Sequence, residues 1–179
     1  DPDDITGLLN GDFEAGLTNW NTWQNVNVSF SEAFYGNKAA QLNGKSSINQ
    51  WVEVNPSTTY TLSAFAKVID PQNEYAVFGV KDENNNSLAS LDVTETTYTS
   101  KSIMFTTGPD MDMIKVFYLR PPAGVNEAYI DEIVLKETAY ILNPNFEQGL
   151  HAWGYYGGTS IEITNPNNGS TSLLIDENG

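Results

Sequence analysis

Apolar and polar residues alternate along most of this chain. Residues 26–30 read Val-Asn-Val-Ser-Phe, a strict strand period. Residues 50–54 repeat the pattern, with Val52 and Val54 on one face and Trp51 and Glu53 on the other. Over residues 60–68, Tyr60, Leu62, Ala64 and Ala66 share one face, while Thr61, Ser63, Phe65 and Lys67 share the opposite one. Further strands are predicted at 39–42, 75–81, 88–93, 98–106, 113–119 and 128–135. Asn43-Gly44, Asn55-Pro56-Ser57, Asp70-Pro71, Gly108-Pro109 and Pro121-Pro122 punctuate them, and residues 82–87 form a solvated loop. No window sustains a helical period beyond two turns. Short, regularly spaced strands with such turns predict an all-β protein, an antiparallel β-sandwich.

One stretch is nearly written twice. Leu8-Leu9-Asn10-Gly11-Asp12-Phe13-Glu14, followed by Gly16-Leu17 and Trp20, is echoed by Ile141-Leu142-Asn143-Pro144-Asn145-Phe146-Glu147, Gly149-Leu150 and Trp153. The constant offset marks the start of a module and of its successor. The expected organisation is a linker end at 1–7, a complete sandwich at 8–137, and a truncated start of a second module at 138–179. Strands are predicted there at 160–164 and 172–175. That segment is too short to close two sheets, so it is expected to be disordered alone or to lend its strands to a neighbour.

Charge narrows the partners. The 179 residues carry a net charge of −15 with eight Lys and Arg, which weighs against nucleic acid and anionic membranes. It weighs less against polyanionic glycans, because a local basic patch could still exist. There is no cysteine, and no apolar run is long enough to span a membrane as a helix. The only histidine, His151, lies in the second copy, so residues 8–137 hold no histidine triad or histidine metal site.

Three segments carry a family resemblance. The opening Asn10-Gly11-Asp12-Phe13-Glu14 with Trp20 resembles the start of carbohydrate-binding modules of families 4, 9, 16 and 22. Residues 50–67, ending Thr59-Tyr60-Thr61-Leu62-Ser63-Ala64-Phe65-Ala66-Lys67, resemble the middle of those modules. Tyr129-Ile130-Asp131-Glu132-Ile133-Val134-Leu135 is similar to their closing strand. The resemblance implies a jelly roll, glycan binding on a concave sheet or a loop edge, and a structural calcium. It places that ion between the first and last strands, with Asp12, Glu14 and Asp131 as ligands and a carbonyl at Asn37-Lys38, so Lys38 joins the metal candidates. Asp12 and Glu14 point the same way if their segment is extended. Hard oxygen donors suit calcium, although most acids are simply solvated.

Sugar rings stack their C–H faces on aromatic planes, and amides and charges bind their hydroxyl rims. Trp23 sits in the amide-rich Asn21-Thr22-Trp23-Gln24-Asn25, which makes Trp23 and Gln24 the leading candidates. Trp20 is either platform or core. Trp51 and Phe65 face away from the predicted core, Tyr75 and Phe117 lie on outward-facing positions, and Arg120 either holds a hydroxyl or neutralises an acid.

These readings define a non-catalytic module that binds a neutral β-glycan such as β-glucan, xylan or mannan. It would serve a secreted bacterial glycan-degrading enzyme, covalently linked to it and to a sister module. A structural or adhesive surface repeat that binds no sugar is the alternative, and a small glycosidase or lyase domain is a third.

Overall fold

The computed structural model describes residues 7–70, 75–121 and 126–138, and the strand backbones of 159–162 and 172–175. The chain divides into two compact units, residues 1–138 and 139–179.

Two five-stranded antiparallel sheets make up the first unit, and it is an all-β jelly-roll sandwich. Its strands are β1 (Asn21–Trp23), β2 (Val26–Ser29), β3 (Ala39–Asn43), β4 (Ser47–Glu53), β5 (Thr59–Val68), β6 (Ala76–Lys81), β7 (Ser87–Val93), β8 (Thr99–Thr106), β9 (Met113–Leu119) and β10 (Glu127–Glu137). The front sheet runs β1-β4-β9-β6-β7 and the back sheet β2-β3-β10-β5-β8. In the second unit, β11 (Thr159–Glu162) pairs antiparallel with β12 (Ser172–Ile175). The expected disorder or strand exchange of 138–179 otherwise falls outside the described residues.

Alternation builds the core. Tyr60, Leu62, Ala64, Ala66 and Val68 of β5 are buried, and their neighbours on the strand are not. Ile48 and Val52 of β4, Ile114, Val116 and Tyr118 of β9, and Phe78 and Val80 of β6 close over them from the front sheet. Each buried Val, Leu, Ile or Phe among them contributes about 1.5–3 kcal/mol by leaving water. Gln50 occupies a core-facing position yet is satisfied: its amide accepts from Leu9 N at 2.7 Å and donates to Leu9 O at 2.9 Å. That pair fixes the chain entering the sandwich.

Two features depart from the simple alternation. β1 is a strand the sequence pattern does not predict, because all three of its residues are polar or exposed. It pairs along the edge of β4 through main-chain bonds, which need no apolar partner. In β10 the register with β5 shifts between Asp131 and Val134, and Glu132 takes a φ of 53°. This bulge changes which residues point inward: Ala128 and Ile130 are buried before it, Ile133 and Leu135 after it.

The repeated signature lies against this bulge. Ile133 N donates to Gly11 O at 2.9 Å, and a Cβ on Gly11 would stand 1.9 Å from Ile133 O. Only a glycine allows that approach, since the obstacle is backbone and cannot rotate away. Gly11→Ala is therefore expected to destabilise the first unit by roughly 3 kcal/mol or more, as overpacking does at its upper end. Gly7→Ala, with nothing within 4 Å, should be silent. Urea denaturation of the two variants checks the contrast.

Candidate functional site

The signature is a series of turns and not a strand, so the extended geometry under which Asp12 and Glu14 would point the same way is not met. Asn10, Phe13, Gly16 and Asn19 all have positive φ. The Asn10 side chain organises them: its Nδ2 donates to Gly16 O at 2.9 Å and Thr18 O at 2.8 Å, and its Oδ1 accepts from Ala15 N at 3.1 Å. Trp20 closes the series by donating its indole N–H to Asn10 O, and its ring packs 5.3 Å from that of buried Phe13. Trp20 is thus a core residue, 7% exposed, and offers no face to a ligand.

Carboxylates then tie a loop over the back sheet. Asp131, fully buried beside the bulge, accepts from Phe34 N at 2.9 Å, Tyr35 N at 3.2 Å and Glu132 N at 2.9 Å. Glu14 Oε1 accepts from Asn37 N at 2.7 Å and Lys38 N at 2.9 Å, and Lys38 Nζ donates to the Glu14 carbonyl. The Asn37 amide holds the Glu14 carboxyl below its ordinary range. Burial pushes Asp131 up, with the charge of Glu14 adding to it. Burial also raises Glu132, reinforced by Asp131, Asp12 and Glu14. The four acids thus share one electrostatic neighbourhood. Among the described residues, however, no group of three or more His, Cys, Asp or Glu is placed to hold a metal ion.

The loop held this way covers the outer face of β5. Phe34 stacks on Phe65 with ring centroids 3.6 Å apart, Tyr98 Oη donates to Glu32 O, and Lys67 pairs with Glu32. Phe65 does face outward, as its position predicts, but Phe34 takes the face a sugar would need.

Among the described residues, no loop covers the front sheet in this way. Cross-strand partners share a face, so the register aligns its outward side chains in rows. One row runs Trp23, Ser47, Leu119, Val77 and Asp92. The next runs Asn21, Asn49, Phe117, Gly79 and Ser90, and the third holds Trp51, Lys115 and Lys81. Trp23 is 46% and Trp51 37% exposed. Four residues of β4 separate their rows, which is about 13 Å along the strand, room for an oligosaccharide. Phe117 lies between them, buried to 6% because it lies across Gly79, where a Cβ would meet Phe117 Cζ at 2.9 Å.

Three lysines stand over these rings. Lys45 Nζ is 5.3 Å from the Trp23 ring, Lys81 Nζ 5.1 Å from Phe117 and Lys115 Nζ 4.5 Å from Trp51. Lys115 also donates to Asn85 Oδ1 at 2.6 Å, from the loop after β6. Of the sequence candidates, Trp23, Trp51 and Phe117 are brought to one face. Gln24 follows β1 in an exposed position with φ 63°, and Tyr75, 41% exposed, precedes β6 with the parity of Val77. Arg120, 2% exposed, is built into the fold: its amide donates to Ser46 O and its guanidinium to Glu127 O, which removes it from a ligand's reach. Sequence reading missed the lysines and Asn21 and Asn49. The parity that places Phe117 outward also places Lys115 there, but strand adjacency was needed to assemble the group.

Comparison with known proteins gives the family. Residues 7–124 match the model of the Carbohydrate binding domain family CBM_4_9, and the chain belongs to that family. It is 30% identical over 132 residues to the keratan-sulfate endo-1,4-beta-galactosidase of Sphingobacterium multivorum, a match covering 72% of this chain. The chain spans only 30% of that enzyme's length. A family 16 carbohydrate binding module is 30% identical, with a TM-score of 0.64 over 72% of this chain and 98% of the module. The fold is also shared with TmCBM61, solved with β-1,4-galactotriose, at 20% identity and a TM-score of 0.60 over 74% of this chain and 99% of that one.

Removing the anchor of the back loop is expected to loosen it selectively. Asp131→Asn forfeits charge-assisted bonds and should cost about 1–3 kcal/mol. Hydrogen exchange at the amides of Phe34 and Tyr35 should rise well before that of β4 and β9. Uniform acceleration across both sheets would contradict the assignment.

Proposed function

We propose that this carbohydrate-binding domain holds a β-linked polysaccharide along the outer face of the front sheet and tethers an attached glycan-degrading enzyme to it. The observation that carries the reading is the exposed pair Trp23 and Trp51 on one open face, with Asn21 and Asn49 between them. The indoles take the C–H faces of pyranose rings, and the amides bind hydroxyls. A neutral backbone such as β-glucan, xylan or mannan suits this chemistry. The β-1,4-galactotriose bound by TmCBM61 and the galactosidase relative add β-galactan to the panel. That relative also supports linkage to a glycoside hydrolase, which tethering would serve by raising local concentration; a secreted setting is part of the same proposal.

Replacing either indole should remove one stacking platform. Trp23→Ala and Trp51→Ala are each expected to weaken binding about tenfold or more, equivalent to roughly 1.4 kcal/mol, with unchanged melting. Trp20→Ala should instead unfold the unit. Affinity electrophoresis against a glycan panel, beside thermal melts, tests this; full affinity in the Trp23→Ala, Trp51→Ala double variant would refute it.

Calcium belongs to the same proposal as a structural ion near Asp12, Glu14 and Asp131, with Lys38 able to contribute only its carbonyl. All-oxygen donors suit the ion. Support comes from the mutual repulsion among these acids, which a divalent cation would offset. Binding would require Glu14 or Asp131 to exchange amide partners for the ion. Excess chelator is expected to lower the melting temperature by several degrees and added calcium to restore it; an unchanged melt removes calcium from the account.

A further inference from the structure

We infer that the face of the front sheet selects glycans carrying anionic substituents, either uronate carboxylates or sulfate esters, on the backbone its rings address. The inference rests on the proposed binding role of that face and names its ligand class. Its basis is the distribution of positive charge. The protein has only eight Lys and Arg. Lys38 is committed to the Glu14 carbonyl, Lys67 to Glu32 and Lys101 to Glu95, Arg120 is buried in the fold, and Lys136 is exposed on β10 of the back sheet. Lys45, Lys81 and Lys115 make no ion pair among the described residues, and each stands over a different ring of the front face. Three of eight cations at the three ring positions of one face is a concentrated positive field in a strongly acidic protein.

Their position discriminates between ligands. A pyranose that stacks on the face of Trp23 or Trp51 now carrying the ammonium displaces it, forfeiting a cation–π contact. A neutral sugar gives the displaced ammonium nothing in exchange. A sugar with a carboxylate or sulfate at its rim offers a charge-assisted hydrogen bond at the moment the cation moves aside. An ammonium has three protons, so Lys115 can keep Asn85 and still donate to such a group. Of the acids around this face, Asp92 stands at the far strand of its row, Glu53 one row beyond Trp51, and Asp82 and Glu83 in the loop that carries Asn85.

Matched pairs isolate the charge. The unaltered chain and the K45Q/K81Q/K115Q variant would be titrated calorimetrically with glucuronoxylan and its carboxyl-reduced form, and with a sulfated galactan and its desulfated form. At least one charged member should bind about tenfold tighter than its neutral partner, and the uronate and sulfate arms identify the source. In the triple variant that preference should vanish, while neutral members bind equally well or tighter because no ammonium need be displaced. Tighter binding of neutral members to the unaltered chain overturns the inference but leaves glycan binding standing, as does a preference that survives the triple substitution. Failure to bind any of the four overturns the inference, and failure across the β-glucan and mannan panel as well overturns glycan binding itself.

Discussion

The sandwich is closed by a buried carboxylate. Asp131 has no solvent exposure and no cation within its described contacts, yet three main-chain amides surround it. A buried charge is tolerated only with such compensation. The bulge that presents it also presents Ile133 to Gly11, so the last strand fastens both the entering chain and the loop after β2. Glu14, from the entering turns, holds the far end of the same loop. The first and last segments of the unit therefore meet at one place, through hydrogen bonds that depend on a parity change in β10.

That arrangement decides which sheet is free for a ligand. With the loop fastened, Phe34 stacks on Phe65 and the back sheet's aromatic platform is used internally. The front sheet keeps Trp23 and Trp51 open, and its paired strands fix their separation. Acids assigned to closure and rings assigned to binding thus lie on opposite sheets. A ligand can occupy one without disturbing the other.

Much of this was legible beforehand, for a physical reason: burial on one side imposes a period of two, which reads directly in β4, β5 and β9. Trp51 and Phe117 were placed outward on parity alone. What parity could not supply was the neighbour. Phe65 has the same outward signature as Trp51, and only the loop carrying Phe34 separates their fates. The bulge in β10 was illegible because Asp131 to Leu135 still reads as a continuous strand. β1 was missed because an edge strand of Asn, Thr and Trp needs no apolar alternation. Trp20 could be core or platform until Asn10 was seen to gather its turn. Asn10, Phe13 and Trp20 are framework residues of the first unit.

A net charge of −15 and a cation-lined face coexist because charge acts locally in salt. At physiological ionic strength the screening length along the solvent-exposed surface is about 8 Å. The cluster of Asp12, Glu14, Asp131 and Glu132 belongs to the back sheet and its loops, on the other side of the core from Trp23 and Trp51. A ligand on the front face meets the nearby ammonium groups of Lys45, Lys81 and Lys115 first. Bulk acidity then governs solubility and discourages non-specific polyanion contact, and it leaves the three lysines to act only on a chain already seated on the rings. An anionic group presented at that spacing gains from the pairing; the same group elsewhere on the surface is repelled.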